Sequence, residues 1–434
     1  MMAEKMTHTT YPNTQTIRRQ VLANGITVLV YERFASPSLV IDGLVRAGAL
    51  AESRQTAGLA HFTAVSLMRG TENYTFEQIY EALESVGASL NFSGAYHTTG
   101  FSAQGLVEDA DLLLELLAEA LRQPVFPDAV VEKVRGQLLT GIAMRENDPQ
   151  QVAGLAFDEL IYGEHPYGRS DLGYIDSLPG LTVDDLRQFH RRYYGPQGMI
   201  ITVVGAMKAE EVVEKVTAVL GDWHNPQQAK LPDVPDAPRP DSLKRVHVPM
   251  PDKQQSSICL GLPGPRRSAP DYLDASLMNT ILGVFGMMGR IGQKVREEKN
   301  LAYDAYSVLQ GGLGPAPWYA AAGVAPPNVE AAIAAILAEI ERIQNELVPA
   351  AELADNQAYR IGSLPMSLET NGGLANVISD MELYGLGLDY LLEYPHLIRE
   401  ITPERIRVAA QKYLSTEQLG IAVAGPELVD KVTG

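Results

Sequence analysis

The sequence predicts an α+β protein of two similar domains, each a mainly antiparallel sheet with helices packed on one face. Three observations carry this. A stretch of five prolines and few apolar residues, 225–242 (NPQQAKLPDVPDAPRPDS), interrupts the chain near its middle. Proline removes amide donors and favours extended backbone, so the stretch reads as a linker. The flanking halves repeat each other, and each runs from strands through a helical block back to a strand. The domains are therefore expected at residues 13–224 and 243–434, with the linker at 225–242.

The repeat has a fixed register. An offset of 220 positions links Thr182 to Thr402, Arg187 to Arg407, Tyr193 to Tyr413 and Gly205 to Gly425. The same offset links Leu117-Ala118-Glu119 to Leu337-Ala338-Glu339, and an offset of 218 links Ser38 and Gly43 to Ser256 and Gly261. A register held over most of each half points to duplication of one domain.

Taken in chain order, Asn24-Gly25 reads as a tight hairpin turn, and Ile26–Tyr31 and Leu39–Val45 as strands rich in β-branched residues. Thr75 is placed to cap a helix, with Gln78 in capping-box position and Gly87 beyond its end. Asp109–Leu121 and Asp128–Met144 carry apolar residues at helical spacing. Thr182 and Thr402 open further helices, Pro403 taking the first helical position. Gly311–Trp318 (GGLGPAPW) reads as a loop between strands.

Composition narrows the function classes. The 434 residues carry 53 acidic and 35 basic side chains, a formal charge of −18, with mean hydropathy −0.06. That balance repels phosphate backbones and anionic lipid, so nucleic acid and membrane are not expected partners. Cys259 is the sole cysteine, which excludes an internal disulfide and a cysteine-based zinc cluster. The start is polar, and the longest apolar run, near Gly198–Met207, is about half a bilayer span. A cytoplasmic location is expected.

The segment Gly58-Leu59-Ala60-His61-Phe62-Thr63-Ala64-Val65-Ser66-Leu67-Met68-Arg69-Gly70-Thr71 resembles the zinc helix of the insulinase/pitrilysin family of metallopeptidases, G-L-A-H-F-x-E-H followed by an apolar run and G-T. In that family two histidines on one helix face hold zinc and the glutamate between them activates its water. His61 matches the first histidine. Ala64 stands at the general base, and Val65 at the second ligand. The third ligand, a glutamate on a later helix, falls at Thr140-Gly141, where Gly141 has no carboxylate. One imidazole does not hold a catalytic zinc, which needs about three protein ligands. No metal is expected in this chain, and His61 reads as a helix residue satisfied by its neighbours. Asn91-Phe92-Ser93-Gly94-Ala95-Tyr96-His97-Thr98-Thr99 looks like the family's N-A-x-T strand. Asn91 there is a substrate-backbone contact or, alternatively, a turn or strand-end residue.

The second half carries Val295-Arg296-Glu297-Glu298-Lys299-Asn300-Leu301-Ala302-Tyr303-Asp304-Ala305-Tyr306-Ser307. It resembles the family's L-R-E-x-x-G-L-A-Y-x-x-x-S stretch, with Asn300 in place of glycine. The resemblance implies that Arg296 and Tyr303 bind substrate backbone and stabilise the polarised carbonyl, since both are donors suited to a developing oxyanion. The plainer reading is a surface ion pair of Arg296 with Glu297 or Glu298 and a Tyr303 packed on its strand. Gly283, Gly286, Gly289 and Gly292, spaced by three, lack the dinucleotide-binding pattern and read as packing positions.

The resemblance runs from about residue 13 to the end and implies a mitochondrial processing peptidase-like fold. The implied function is a non-catalytic, substrate-binding subunit of a two-chain zinc peptidase. The partner would supply zinc and an intact H-x-x-E-H, and this chain Arg296 and Tyr303. In isolation the chain would pair with a copy of itself. Two other readings stand beside it. One is a structural or peptide-binding homologue like the core subunits of the respiratory bc complex. The other is a zinc peptidase using different ligands.

Overall fold

The computed structural model describes residues 11–427. The first half supplies β1 (Ile17–Val21), β2 (Thr27–Glu32), β3 (Ser38–Val45), β4 (Ser89–Gly94), β5 (Thr99–Leu106) and β6 (Ile200–Gly205), in the order β1-β2-β6-β3-β5-β4. The second supplies β7 (Lys244–Pro249), β8 (Ser256–Pro263), β9 (Ala302–Leu309), β10 (Pro317–Val324) and β11 (Gly420–Gly425), in the order β7-β11-β8-β10-β9. Apart from β1 the two orders match strand for strand. Each sheet has one parallel pair, β2 with β6 and β7 with β11, and is otherwise antiparallel. The fold is the α+β one that the sequence predicts, built twice.

The repeated residues make repeated contacts. Gly205 ends β6 where a Cβ would stand 2.5 Å from the Ser38 carbonyl oxygen. Gly425 ends β11 where a Cβ would stand 2.5 Å from Ser256 Oγ. Each serine–glycine pair is thus a point where two strands pass too closely for any side chain.

The first half's helices are α1 (Leu59–Ser66), α2 (Phe76–Ser85), α3 (Ala110–Arg122), α4 (Asp128–Glu146), α5 (Pro149–Tyr162), α6 (Val183–Tyr193) and α7 (Ala209–Leu220). The second half's are α8 (Tyr272–Gly283), α9 (Phe285–Gly292), α10 (Val329–Asn345), α11 (Ala350–Ser367), α12 (Asn371–Leu383), α13 (Tyr390–Arg399) and α14 (Pro403–Tyr413). The Thr75/Gln78 capping box closes both ways, and Gly87 follows the helix at φ +65. Thr182 caps α6 in a second capping box with Asp185, and Thr402 caps α14 ahead of Pro403. The Asn24-Gly25 turn joins β1 to β2, the Gly25 N–H donating to the Leu22 carbonyl at 3.0 Å. The 311–318 loop is shorter than its glycines suggest. β10 already begins at Pro317, because Trp318 is fully buried and donates its indole N–H to Asn279 at 2.8 Å.

Both sheets are covered on their second face by a helix from the other half. On β2, β3 and β6, one face holds Val28, Ile41 and Val203 against the first half's own helices. The opposite face holds Leu29, Val40, Leu44 and Val204 against Leu374, Ala375, Ile378 and Met381 of α12. Reciprocally, α5 lays Ala153, Phe157 and Ile161 on Cys259, Ala422 and Ala424 of the second sheet. These positions recur at i, i+4 and i+8, the apolar stripe of a helix lying on a sheet. Removing a buried anchor such as Phe157 costs about 3–5 kcal/mol. Among the described residues no helix is long and apolar enough to cross a membrane.

Candidate functional site

α1 starts at Gly58, which takes φ +93. Its first amides are satisfied from upstream. The buried Glu52 carboxylate accepts from Gly58 N at 2.9 Å and Ala60 N at 2.6 Å. Burial nevertheless pushes the Glu52 carboxyl up to about 8. His61 lies one residue further on, its Nδ1 3.4 Å from the Gly94 carbonyl oxygen. Burial pulls its pKa down, so the ring is neutral at neutral pH, while that hydrogen bond and the nearby Asp171 charge oppose the shift. A Cβ on Gly94 would fall 2.6 Å from His61 Cα, so β4 and α1 meet here backbone to backbone.

Ala64 is fully buried. Val65 is half-buried and packs against the first half's core. α4 runs beside α1 and carries Gly141 on its exposed face, with nothing within 4 Å of where a Cβ would stand. A zinc ion does not fit these residues. They offer one imidazole, a methyl, an isopropyl group and no side chain, and Glu52 is committed to the helix amides. Among the described residues no group of three or more His, Cys, Asp or Glu is arranged to hold a metal.

β4 forms the edge of its sheet, pairing with β5 alone. Ser89, Asn91 and Ser93 are exposed and alternate with buried Leu90, Phe92 and Gly94. Asn91 is therefore mid-strand, which corrects the alternative of a turn or strand-end role. His97 is not on the strand. It sits in the β4–β5 hairpin with its Nε2 2.5 Å from the Tyr167 hydroxyl.

In the second half the motif is built around a distorted backbone. α9 contains positive φ at Gly286, Met288 and Gly289. Gly283 and Gly289 are closed by packing: added Cβ atoms would meet Ser307 N at 2.2 Å and Ile281 O at 2.6 Å. A bidentate pair anchors this segment, Arg290 donating to Glu352 at 2.7 and 2.6 Å. A π-helical turn, Gln293–Glu298, follows and carries Arg296. Asn300 takes φ +50, which explains why the family pattern has glycine there and why asparagine is accepted in its place.

β9 then begins with a bulge. Ala322 pairs with Ala305 and Val324 with Ala302, so Tyr303 and Asp304 together oppose Gly323. A bulge re-aims the side chain it carries. Tyr303 is 84% exposed, so it does not pack on its strand. The Arg296 guanidinium lies 5.7 Å from the Tyr303 ring centroid and pairs with Glu297 at 3.3 Å. The structure thus brings Arg296 and Tyr303 together, and the expected Glu297 pair is also present.

Residues that the sequence does not single out gather where the halves meet. Asp158 and Tyr162 of α5, Tyr96 and His97 of the β4–β5 hairpin, Tyr167, and Tyr384 after α12 line a crevice of about 240 Å³. Burial, with Asp171's charge adding, pushes the Asp158 carboxyl up to about 8. Burial also pulls His97 down to about 4. One signal for Asp158 was available: a charge directly beside the apolar stripe 153, 157, 161. For Asp171, 110 positions from His61 in the chain, there was none.

Comparison with known proteins adds the following. Residues 31–173 match the family described as Insulinase (Peptidase family M16), and residues 180–359 match the family described as Peptidase M16 inactive domain. An uncharacterized zinc protease of Streptomyces coelicolor is 28% identical over 424 residues, 96% of this chain and 91% of its own. A probable mitochondrial-processing peptidase subunit beta of Arabidopsis thaliana is 24% identical over 266 residues, covering 61% of this chain and 50% of that protein. Among solved structures, a peptidase M16 inactive domain from Pseudomonas fluorescens superposes with TM-score 0.87 at 25% identity, covering 96% of this chain and 99% of that one. A protease from Helicobacter pylori superposes with TM-score 0.88 at 21% identity over 94% and 99% of the two chains, a likeness of fold.

Proposed function

This chain belongs to the insulinase family of peptidases, family M16, and from that premise we propose that it is a non-catalytic, substrate-binding subunit. It works in the cytoplasm beside a second family member that carries an intact H-x-x-E-H and the zinc. The observation that carries this reading is the contrast between two sites on one chain. Ala64, Val65 and Gly141 leave His61 without co-ligands, whereas Tyr303 is turned into solvent by a bulge beside Arg296. A tyrosine exposed to this degree contributes little to the core, so its placement fits contact with something outside this chain.

In this arrangement a peptide lies along the free edge of β4, Asn91 reaching its backbone. Arg296 and Tyr303 donate to the carbonyl oxygen that gains negative charge at the partner's site. The test mixes this chain with a family member bearing the full zinc motif and follows peptide cleavage. Neither chain alone should match the mixture, and an Arg296→Ala/Tyr303→Phe variant should lower its rate by about 10²-fold or more. A mixture with no activity, or a double variant with full activity, overturns the proposal. The Arg296–Glu297 pair favours a second reading, a structural or peptide-binding homologue with no part in proteolysis. Under it the double variant binds peptide as the unaltered chain does.

A further inference from the structure

The halves and the linker enclose a second, larger cleft of about 720 Å³, a volume suited to a small organic ligand. Arg46, just past β3, and Gln197, just before β6, line one side, with His97 of the hairpin beside them. Lys230 of the linker and Arg266 and Leu313 of the second half line the other.

The three cations are not equivalent. Lys230 is paired with Asp233 at 2.9 Å. Arg266 donates to the Leu313 and Val234 carbonyls and pairs with Asp236, each at 2.9 Å, and so straps the linker to the second half. Arg46 has neither a hydrogen bond nor an ion pair among the described residues. Burial works against its charge, and the nearby Tyr384 is a neutral phenol at neutral pH that supplies no counter-charge. Its side chain lies along Gly198, with Cγ 3.1 Å from where a Cβ would stand on that residue.

A half-buried, unpaired guanidinium is unfavourable for folding. Among the described residues no acidic side chain is paired with Arg46, in a chain that has 53 of them. The fork of N–H donors on an arginine matches the two oxygens of a carboxylate. His97 is neutral at neutral pH and adds no second charge, and Lys230 and Arg266 are already compensated. The free charge in the cleft is therefore one, which suits a single carboxylate better than a phosphate dianion. Leu50, Leu231 and Leu313 give the same cleft an apolar lining.

We propose that this cleft binds a carboxylate-bearing ligand, its carboxylate forked on Arg46 and its apolar body against Leu231 and Leu313. The carboxylate belongs either to the C-terminus of a short peptide or to a free small acid. The site stands apart from Arg296 and Tyr303, and its failure would leave their role unaffected.

Titration calorimetry on the whole chain tests it with three probes: a short hydrophobic peptide with a free C-terminus, the same peptide as its C-terminal amide, and octanoate. The free-acid peptide or octanoate should bind, and whichever binds identifies the source. The amide should bind at least about tenfold more weakly than the free acid, and Arg46→Gln should weaken the acid at least as much. Arg46→Gln should keep or raise the melting temperature without ligand, because an unpaired charge is removed; a structural arginine would lower it. Equal binding of acid and amide, equal binding by Arg46→Gln, or no binding of any probe at millimolar concentration overturns the proposal. The acid–amide comparison uses the unaltered chain, so it decides the matter even if the variant folds poorly.

Discussion

Ser379 on α12 donates to Asp42 on β3 at 3.0 Å, joining the two halves through a hydrogen bond 337 positions apart in the chain. The Thr202 hydroxyl on β6 lies 2.8 Å from the same serine oxygen. This polar triad sits within the apolar face that α12 makes with the first sheet. It fixes the middle of the helix among the non-directional contacts of Leu374, Ile378 and Met381, while at the ends Asn371 donates to Ser38 Oγ at 3.0 Å and Glu382 pairs with Arg19 at 2.7 Å.

Ser379→Ala should therefore strand both Asp42 and Thr202. Leaving buried polar groups unpaired costs about 1–3 kcal/mol, to be read as a lower urea midpoint at unchanged slope. A loss under about 0.5 kcal/mol, the scale of ordinary surface substitutions, would mean that the triad does not hold α12.

The backbone at Asn300 gives a sharper local test. Its φ of +50 is open to glycine and asparagine and strained for branched side chains. Asn300→Gly should leave stability nearly unchanged, and Asn300→Val should cost about 1–3 kcal/mol, measured by chemical denaturation. Equal stability of the two variants would place the residue outside the left-handed region.

How much of this could be read from the sequence follows from the range of each interaction. The Thr75/Gln78 box, the Thr182 and Thr402 caps and the Asn24-Gly25 turn depend on residues within four positions of one another, and each is legible. The duplication is legible because Ser38/Gly205 and Ser256/Gly425 solve the same close approach twice. The reciprocal covering by α5 and α12 is not, since an apolar stripe does not name the sheet it meets. The Tyr303 bulge depends on Gly323, twenty positions away on the neighbouring strand. The Arg46 cleft depends on the absence of a partner, and a sequence does not display absences.

Buried carboxyl groups predict a pH dependence with a definite sign. Burial raises Asp42 to about 6 from 3.8, Asp158 to about 8 from 3.8, and Glu52 to about 8 from 4.5. A carboxyl with a raised pKa in the folded state binds its proton more tightly there than in the unfolded chain. Its stabilising contribution is complete below pH 3.8–4.5 and is lost as pH rises through the folded values. Stability should thus fall between about pH 4 and 8 on account of these three groups. Asp158→Asn should match the unaltered chain near pH 4 and melt about 1–3 °C higher near pH 8.5. Melting curves across that range check it, and a variant less stable at the alkaline end reverses the sign.

The exposure of Tyr303 makes it a clean probe. At 84% exposed, Tyr303→Phe removes a hydroxyl that nothing buried depends on. Its effect on stability should stay within about 0.5 kcal/mol. Any larger change in peptide binding or in a mixed-chain assay is then assignable to the contact itself. A clear loss of stability would show that the hydroxyl serves this chain's own packing.

The degenerate zinc positions differ in how easily they reopen. Gly141 faces open space, so Gly141→Glu should be tolerated within about 0.5 kcal/mol. Val65 is half-buried and one helical turn from His61, so Val65→His places two imidazoles on one helix face. The double variant restores two imidazoles and a carboxylate, the three protein ligands that zinc requires. It should retain about one zinc per chain after dialysis, measured by metal analysis, while the unaltered chain retains none. Ala64 is different: it is fully buried, and Ala64→Glu should cost about 1–3 kcal/mol by overpacking. The ligand positions therefore remain open to repair, and the position of the general base is closed by packing. If the double variant takes up no zinc, then α4 does not bring residue 141 within reach of α1, and the likeness to the zinc helix ends at the backbone.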